Sequence, residues 1–194
     1  MWRLPHSSKH SGSRWTRSGD GVSLEQLWAG WRLRYIEGAD GPEDERSSSR
    51  SEGLTLFEAI FRSDLPDDER YVLWTGETCF ALLNAFPYTN GHLMVLPQRG
   101  VASLDGLTDD EYTELWIGVR SATHAVQAAY APEGINVGLN LGRGAGAGVP
   151  DHLHVHVLPR WGGDTNFMTT VANTRVLPES LGDSWRRLSA AWPA

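Results

Sequence analysis

The sequence predicts an α+β fold in which an antiparallel sheet is covered by one long helix and shorter flanking helices. Runs of β-branched and aromatic residues at 71–74 and 78–83 predict two strands joined by a tight turn. Residues 108–130 repeat apolar side chains at helical spacing, which predicts one long helix. Residues 152–158 alternate histidine with leucine or valine at period two, which is typical of a strand. Because the strands are grouped around a single helix rather than alternating with helices, we expect them to pair antiparallel.

The first part of the chain is expected to lie outside the folded domain. Residues 1–22 are basic and lack the apolar run of a signal peptide, so we expect a disordered tail rather than a targeting peptide. Within 23–52, Ser23 begins a capping-box pattern that predicts an amphipathic helix to about Ile36, and the polar residues after it predict a solvated linker. The domain itself is expected to occupy residues 53–194.

Inside the domain, each expected element has a local sequence signal. Apolar residues near 53–62 and 179–192 recur at helical spacing and predict a short helix and a last helix. Thr108 and Glu111 form a second capping-box pattern, which predicts the start of the long helix. The remaining strands are expected at 92–96, 135–141 and 152–160.

The long helix carries an apolar stripe that is expected to face the core. Its members recur at helical spacing and are Tyr112, Leu115, Trp116, Val119 and Val126. His124 lies in the same helix and is expected to be a surface or packing residue rather than part of a site.

His152, His154 and His156, here called the histidine row, bear most directly on function. In an extended strand the three side chains line one surface, while the apolar residues between them pack into the core. Imidazole can act as base, acid, nucleophile or metal ligand near neutral pH. One histidine could therefore carry a phosphoryl or nucleotidyl group, or the row could bind a transition metal. A chance half-buried strand explains three histidines at this spacing less well.

A glycine-rich connection at 140–151, here called the glycine loop, leads directly into the histidine row. Glycine lets backbone N–H groups approach phosphate oxygens, because no Cβ blocks the approach. The loop contains neither the P-loop pattern nor GxGxxG, so neither of those folds is implied. A flexible hairpin explains the loop equally well when it is taken alone. Together with the histidine row, it favours phosphate chemistry.

Composition excludes several classes of protein. The 194 residues suffice for one domain with a core, and the formal net charge of −7 argues against a broad nucleic-acid-binding surface. Cys79 is the only cysteine, which excludes an intramolecular disulfide and fits a reducing cytoplasm. No apolar run approaches ~18 residues, so no membrane span is expected. We expect a cytoplasmic protein that acts on a small molecule and binds neither nucleic acid nor membrane.

Three blocks of the sequence resemble the histidine triad (HIT) superfamily of nucleotide hydrolases and transferases. His-Leu-His-Val-His-Val-Leu at 152–158 resembles the HφHφHφφ motif, in which φ is an apolar residue. Residues 84–97 are similar to the family's Asn…Pro…Gly-His-φ-φ-φ-φ-Pro block. The run from Gly146 to Met168 resembles the bacterial branch of diadenosine tetraphosphate phosphorylases. The resemblance covers roughly residues 70–190 and implies a HIT-like antiparallel sheet.

The resemblance also implies a role for each matching residue. His154 is implied as the nucleophile that forms a covalent nucleotidyl-histidine, His156 as a contact to the phosphate that develops charge, and His152 as a structural support. The implied substrate-binding residues are Asn84 at the ribose hydroxyls, His92 behind the site, Asn140 near the transferred phosphate, Gly146, Ala147 and Gly148 in the glycine loop, and Trp161. Ordinary turn chemistry remains an alternative explanation for Asn84 and Asn140.

The sequence departs from the family where some relatives bind structural zinc. Those relatives use a CxxC pair near the N-terminus, a histidine after a Pro-Lys/Arg-Arg stretch, and the first triad histidine. Here the corresponding positions hold Leu54, Phe57 and Gly100. Because three ligands are missing together, we expect no structural zinc. No cofactor is required, although Mg²⁺ can accompany the nucleotide substrate.

The resemblance implies a nucleotidyltransferase that cleaves dinucleoside polyphosphates, such as diadenosine tetraphosphate, by phosphorolysis. One alternative is a HIT hydrolase of dinucleoside polyphosphates or nucleoside phosphoramidates, and another is a nucleotide-binding regulatory module with little turnover. The intact histidine row favours an enzyme, and residues 159–168 favour the phosphorylase. HIT relatives commonly pair through a sheet edge and the long helix, so a homodimer is expected.

Overall fold

A computed structural model of the chain describes residues 53–164 and 177–193, together with the backbone of Glu25–Gln26 and Thr174–Arg175. The elements in chain order are β1 (Glu25–Gln26), α1 (Leu56–Phe61), α2 (Asp67–Arg70), β2 (Val72–Thr75), β3 (Cys79–Leu83), β4 (Leu93–Pro97), α3 (Asp109–Tyr130), β5 (Gly134–Leu139), β6 (Val155–Arg160), β7 (Thr174–Arg175) and α4 (Leu181–Ala191). Strands β2 to β6 and helices α1, α3 and α4 confirm the predicted elements to within three residues. Of the described helices, none combines the length and the apolar composition of a membrane span.

The N-terminal helix predicted from Ser23 is wrong at the two residues that the structure describes there. Glu25–Gln26 pair in parallel with Thr174–Arg175 as a two-stranded sheet. The partner strand is distant in sequence, so a capping pattern of neighbouring residues could not predict this pairing. The rest of the predicted tail, helix and linker, and residues 165–173 of the phosphorylase-like block, lie outside the described residues.

Strands β2 to β6 form one antiparallel sheet with the order β2-β3-β4-β6-β5. This confirms the α+β fold class. Strands β3 and β4 are buried along their whole length, because the sheet is covered on both faces. Strand β5 lies at one edge and is largely exposed. The histidine row spans the residues that lead into β6 and the start of that strand, which lies between β4 and this exposed edge.

Helices α3 and α4 cover one face of the sheet and enclose the larger core. Leu115, Val119 and Val126 of α3 pack there, as predicted, together with Leu188 of α4. The apolar residues that alternate with the histidine row, Leu153, Val155 and Val157, belong to the same core. The period-two pattern therefore places the histidine row on the opposite face, as predicted.

Tyr112 and Trp116 do not join the core that was predicted for them. They are 49% and 37% exposed, and their rings contact each other edge to face. Besides the aliphatic residues just named, the buried stripe of α3 contains small residues, among them Gly118 and Ala122, that let the helix lie close to the sheet. Gly118 shows this directly, because a Cβ there would lie 2.9 Å from Val95 Cγ1. Tyr112 and Trp116 each follow a buried residue by one position, so their side chains project to the side of the stripe that faces the core.

Helix α1 covers the histidine face of the sheet, which was expected to be an open surface. A second apolar cluster fills this side with Phe57, Val72, Phe80, Leu82, Met94 and Leu96. No member of the histidine row is more than 8% exposed. The row is thus a buried structure rather than a solvated one.

Candidate active site

Pairing between β4 and β6 brings the histidine row beside a fourth histidine. Met94 pairs with His156 and Leu93 with Val157, so His92 lies directly before the paired residues. Its ring is buried, and its Nε2 atom lies 2.9 Å from His156 Nδ1. The structure therefore brings together all four histidines to which the family resemblance gave a role.

His152 is held at both ring nitrogens. Its Nε2 lies 2.8 Å from the carbonyl oxygen of Pro97, and its Nδ1 lies 2.6 Å from Thr55 Oγ1. A carbonyl only accepts hydrogen bonds, so Nε2 carries the proton and Nδ1 accepts from the Thr55 hydroxyl. Strand β6 begins at Val155 rather than at His152, because the Leu153 N–H leaves the sheet to donate to Val101 O at 2.5 Å. The His152 ring is thus fixed by the surrounding protein, and the supporting role that the resemblance implied remains a prediction.

His154 presents an unprotonated nitrogen. Its Nδ1 lies 2.8 Å from the carbonyl oxygen of His152, so Nδ1 carries the proton and donates it to that oxygen. In a neutral imidazole the other nitrogen, Nε2, then holds a free electron pair. Phe57 packs against the ring with a centroid distance of 5.3 Å and limits its rotation. A histidine in this tautomer can attack an electrophile through Nε2.

His156 presents a donor instead. The backbone N–H of Tyr88 donates to His92 Nδ1 at 3.1 Å, so the proton of His92 lies on Nε2. His92 Nε2–H then donates to His156 Nδ1, which leaves the proton of His156 on Nε2. Neighbouring residues of the row thus offer opposite functions, an electron pair on His154 and an N–H on His156.

Burial keeps the histidine row neutral. Removal from water lowers the pKa of His152, His154 and His156 below the ordinary value of 6.5. For His156 the pKa falls to about 4, first because of burial and then because His154 lies beside it. At neutral pH the row therefore carries the tautomers that the hydrogen bonds define, without a charge.

Asn84 borders the site while also serving a turn. Its Nδ2 lies 3.4 Å from the His92 ring nitrogens, and its Oδ1 accepts the backbone N–H of Phe86 at 2.9 Å. The second contact is the turn chemistry considered as an alternative to ribose binding. Asn140 follows the last paired residue of β5, Leu139, which lies opposite Val155. An extension of that register places Asn140 opposite His154.

The glycine loop contacts the histidine side of the sheet through Val149. Gly142 and Gly146 have φ values of +77° and +92°, which favour glycine, and a turn of 3₁₀ helix lies between them. Ala147 is buried, and its N–H donates to Gly142 O, whereas Gly148 is exposed. Val149 packs against the apolar cluster that surrounds Phe57. The predicted phosphate-binding residues Gly146, Ala147 and Gly148 thus lie in a loop tied to the face that holds the row.

Trp161 lies apart from the histidine row. It follows the far end of β6, and its ring contacts Tyr130 of α3 with a centroid distance of 6.2 Å. Together with Asn90 it lines an open cavity of about 810 Å³ that extends to α4. Its predicted role in substrate binding remains a prediction.

Thr55 and Glu58 are part of the site, although the interpretation of the sequence did not select them. Thr55 is the N-cap of α1, and Glu58 completes a capping box with it. The signal was present as Thr-x-x-Glu before an apolar run. The capping pattern could have located α1, but only the tertiary contact with His152 links it to the site.

Comparison with known proteins identifies the family. The HIT domain family model matches residues 67–163, which is half of the chain. The chain belongs to the HIT domain family. The matched range contains His92, the glycine loop and the whole histidine row, so the resemblance of the sequence to the HIT superfamily is confirmed.

Relatives of this HIT chain include proteins that are named as enzymes. It is 40% identical over 174 residues to AP-4-A phosphorylase of Mycobacterium tuberculosis, covering 90% of this chain and 87% of that protein. It is 38% identical over 93 residues to the asymmetrical bis(5'-nucleosyl)-tetraphosphatase of Schizosaccharomyces pombe, covering 48% and 50% of the two chains. A zinc-bound histidine triad protein of Mycobacterium smegmatis has a similar structure, with a TM-score of 0.57, 27% identity and coverage of 71% and 91%. The first match confirms the resemblance of this HIT chain to the phosphorylase branch.

Proposed function

We propose that the chain is a nucleotidyltransferase that cleaves dinucleoside polyphosphates, such as diadenosine tetraphosphate, by phosphorolysis. The observation that carries the proposal is the pairing of functions in the row. His154 offers an electron pair at Nε2, and His156 beside it offers an N–H. Attack on the phosphorus of a phosphoanhydride needs a nucleophile next to a fixed hydrogen-bond donor.

In the proposed reaction, His154 Nε2 attacks the α-phosphorus of the substrate. A P–N bond forms while the bond from phosphorus to the bridging oxygen breaks, and the remaining nucleotide leaves with the electron pair. The Nε2–H of His156 donates to a phosphate oxygen as charge develops. A second nucleophile then attacks phosphorus from the opposite side and breaks the P–N bond, which returns His154 to its starting form.

Arg143 can supply positive charge to a polyphosphate in the glycine loop. Six of the described arginines form ion pairs with carboxylates: Arg62, Arg70, Arg99, Arg160, Arg186 and Arg187. Within residues 53–164 and 177–193, Arg120 of α3 and Arg143 are exposed and form no such pair, and of these two only Arg143 belongs to the glycine loop. A phosphate chain bound along the loop therefore meets a guanidinium that no carboxylate of the described residues neutralises.

The identity of the acceptor separates the phosphorylase from its alternatives. Similarity to AP-4-A phosphorylase over 90% of the chain supports inorganic phosphate as acceptor, whereas similarity to the tetraphosphatase over about half of the chain supports water. We expect diadenosine tetraphosphate to give ADP and ATP with phosphate present. AMP and ATP would identify the hydrolase. Binding of the nucleotide with no product would identify the regulatory module.

We further propose that the site works without bound zinc. Both ring nitrogens of His152 are already engaged by Thr55 and Pro97, so this histidine has no electron pair left for a metal. Gly100 offers no ligand on the same side, where a Cβ would lie 2.6 Å from the Thr55 methyl group.

Purified protein is therefore expected to contain less than one zinc ion per chain, and a chelator should not lower its melting temperature. Elemental analysis and a thermal scan with and without the chelator test both statements. About one tightly held zinc per chain would contradict our interpretation of Leu54, Phe57 and Gly100.

The assembly that we propose is a homodimer through the β5 edge and the neighbouring flank of α3. Glu114 of α3 bonds the β2–β3 turn, at the opposite edge of the sheet from β5. Trp116 projects about 200° around the helix from Glu114, because each residue turns the helix by about 100°. The flank of α3 that carries Trp116 therefore faces β5, where Val137 is 42% exposed. An open strand edge beside exposed aromatic rings is a surface that a second copy would cover.

Light scattering at micromolar concentration is expected to give twice the 21.4 kDa mass of the chain. Trp116→Lys should shift the mass toward the monomer, because the charge would be buried in the interface. Ile117→Lys is a matched control, since Ile117 is also exposed but lies on the outer side of α3. A monomeric wild-type protein, or dissociation by the Ile117 variant alone, would contradict the interface.

A further inference from the structure

The N-terminus of α1 forms a hydrogen-bonded connection to the histidine row. Thr55 Oγ1 is 2.6 Å from His152 Nδ1, and the same hydroxyl accepts the Glu58 N–H at 3.3 Å as the N-cap of α1. Its single proton must therefore point to His152, because the Glu58 N–H is the donor in the other bond. One hydroxyl thus caps the helix and fixes the ring.

The hydroxyl is itself held in place from two sides. Glu58 accepts the backbone N–H of Thr55 at 2.8 Å, and it also accepts the backbone N–H of Gly100. Gly100 packs so closely that a Cβ there would lie 2.6 Å from Thr55 Cγ2 and 3.0 Å from Glu58 Oε2. Thr55 therefore has little freedom to rotate away from His152.

The connection continues from His152 to the reacting nitrogen. With both ring nitrogens bonded, His152 cannot turn, and its backbone carbonyl accepts His154 Nδ1–H at 2.8 Å. That bond keeps the proton off His154 Nε2. Phe57, on the first turn of α1, also contacts both rings. Three hydrogen bonds thus link α1 to His154. They join the Glu58 N–H to the Thr55 hydroxyl, this hydroxyl to His152 Nδ1, and His154 Nδ1–H to the His152 carbonyl oxygen.

We propose that Thr55 is a positioning residue for the reaction: its hydroxyl, fixed by Glu58 and Gly100, orients His152 and through it holds His154 with Nε2 unprotonated. The kinetic part rests on the proposed function, whereas the effect on the two rings does not. Small displacements of a nucleophile lower the rate of attack far more than they lower substrate affinity.

The chain contains a matched control for the loss of the helix cap. Thr108 forms the same capping box with Glu111 at the start of α3, with a Thr108 Oγ1 to Glu111 N distance of 3.2 Å. Among the described residues, the Thr108 hydroxyl bonds within the cap and contacts no histidine. Thr55→Val and Thr108→Val therefore remove the same kind of cap, but only the first removes a bond to the row.

Four variants of the full chain test the proposal in the phosphorolysis assay. Thr55→Val is expected to lower kcat about 10- to 100-fold with KM within about twofold, whereas Thr55→Ser should restore kcat. Thr108→Val should also lower the melting temperature, through the loss of its cap, while keeping wild-type kcat. Gly100→Ala retains the Thr55 hydroxyl but displaces it, so this variant should also lower kcat.

Long-range ¹H–¹⁵N spectra of the imidazoles supply a second readout that needs no substrate. In Thr55→Val the Nδ1 signal of His152 should move and the tautomers of His154 should mix, while Thr108→Val should match the wild type. Unchanged imidazole signals in Thr55→Val would overturn the proposal, and so would an equal loss of kcat in Thr108→Val. If the wild-type protein turned over no dinucleotide, only the proposed function would fail, and the spectra would still decide the role of Thr55.

Discussion

Replacing His154 with asparagine is expected to lower turnover of diadenosine tetraphosphate by about 10⁴-fold or more. The reason is that Nε2 of His154 is the nitrogen of the row left with a free electron pair, and an amide cannot replace it as a nucleophile. The fold should persist, because the ring belongs to the site and lies outside the main core. Steady-state rates and a thermal melt of the same sample measure the two effects.

The wild-type protein should also show the covalent intermediate directly. Rapid mixing with substrate in the absence of phosphate, followed by intact-mass measurement, is expected to reveal a chain heavier by one nucleotidyl group. His154→Asn should show no such adduct. His124→Asn serves as the control, because His124 is an exposed histidine of α3. More than a tenth of wild-type activity in the His154 variant would refute its role as nucleophile.

Replacing Glu114 with alanine is expected to destabilise the domain by about 3 kcal/mol. Its carboxylate accepts four hydrogen bonds at the β2–β3 turn: the backbone N–H groups of Glu77, Thr78 and Cys79, and the Thr78 hydroxyl. Burial alone would raise the pKa of Glu114, but these donors lower it overall. Without the carboxylate, partly buried N–H groups lose their acceptor. The free energy of leaving them unpaired exceeds the net stabilisation that the hydrogen bonds provide.

Urea unfolding measures this loss as a lower midpoint at an unchanged slope. Thr113→Ala, at an exposed position of the same helix, is the control and should change stability by less than about 0.5 kcal/mol. Glu114→Gln should fall between the two, since its amide oxygen can still accept. A Glu114→Ala variant as stable as Thr113→Ala would show that the turn is held by its strands alone.

Local sequence patterns predicted most of the fold, because the determinants of β2 to β6 and of α3 are local. Period-two alternation assigned the two faces of β6 correctly, with Val155 and Val157 in the core. The patterns failed where tertiary packing decides. Tyr112 and Trp116 match the helical repeat, yet the buried stripe runs through Leu115 and small residues such as Gly118, where the helix lies too close to the sheet for large rings.

The site shows the same division between local and tertiary information. The spacing of the histidine row is local, and the family resemblance located His92 from its own block. The tautomers of His154 and His156 are set by the His152 carbonyl and by His92, the second of which lies 64 positions from its partner. The contact of Thr55 with His152 spans 97 positions. A pattern within a single segment of the sequence could not have predicted these contacts.

Buried neutral imidazoles also make unfolding of this domain a proton-uptake reaction. The pKa of His156 is about 4 in the folded chain and near 6.5 once the ring is exposed, so the unfolded chain binds the proton first. Its contribution to stability is complete above pH 6.5 and is lost as the pH falls toward 4, at up to about 1.4 kcal/mol per pH unit. Urea midpoints should therefore decrease between pH 7.5 and 5, before most carboxylates titrate, and a flat profile would contradict the burial of the row. Acidification below pH 6.5 therefore weakens the folded structure through the same burial that keeps the histidine row neutral.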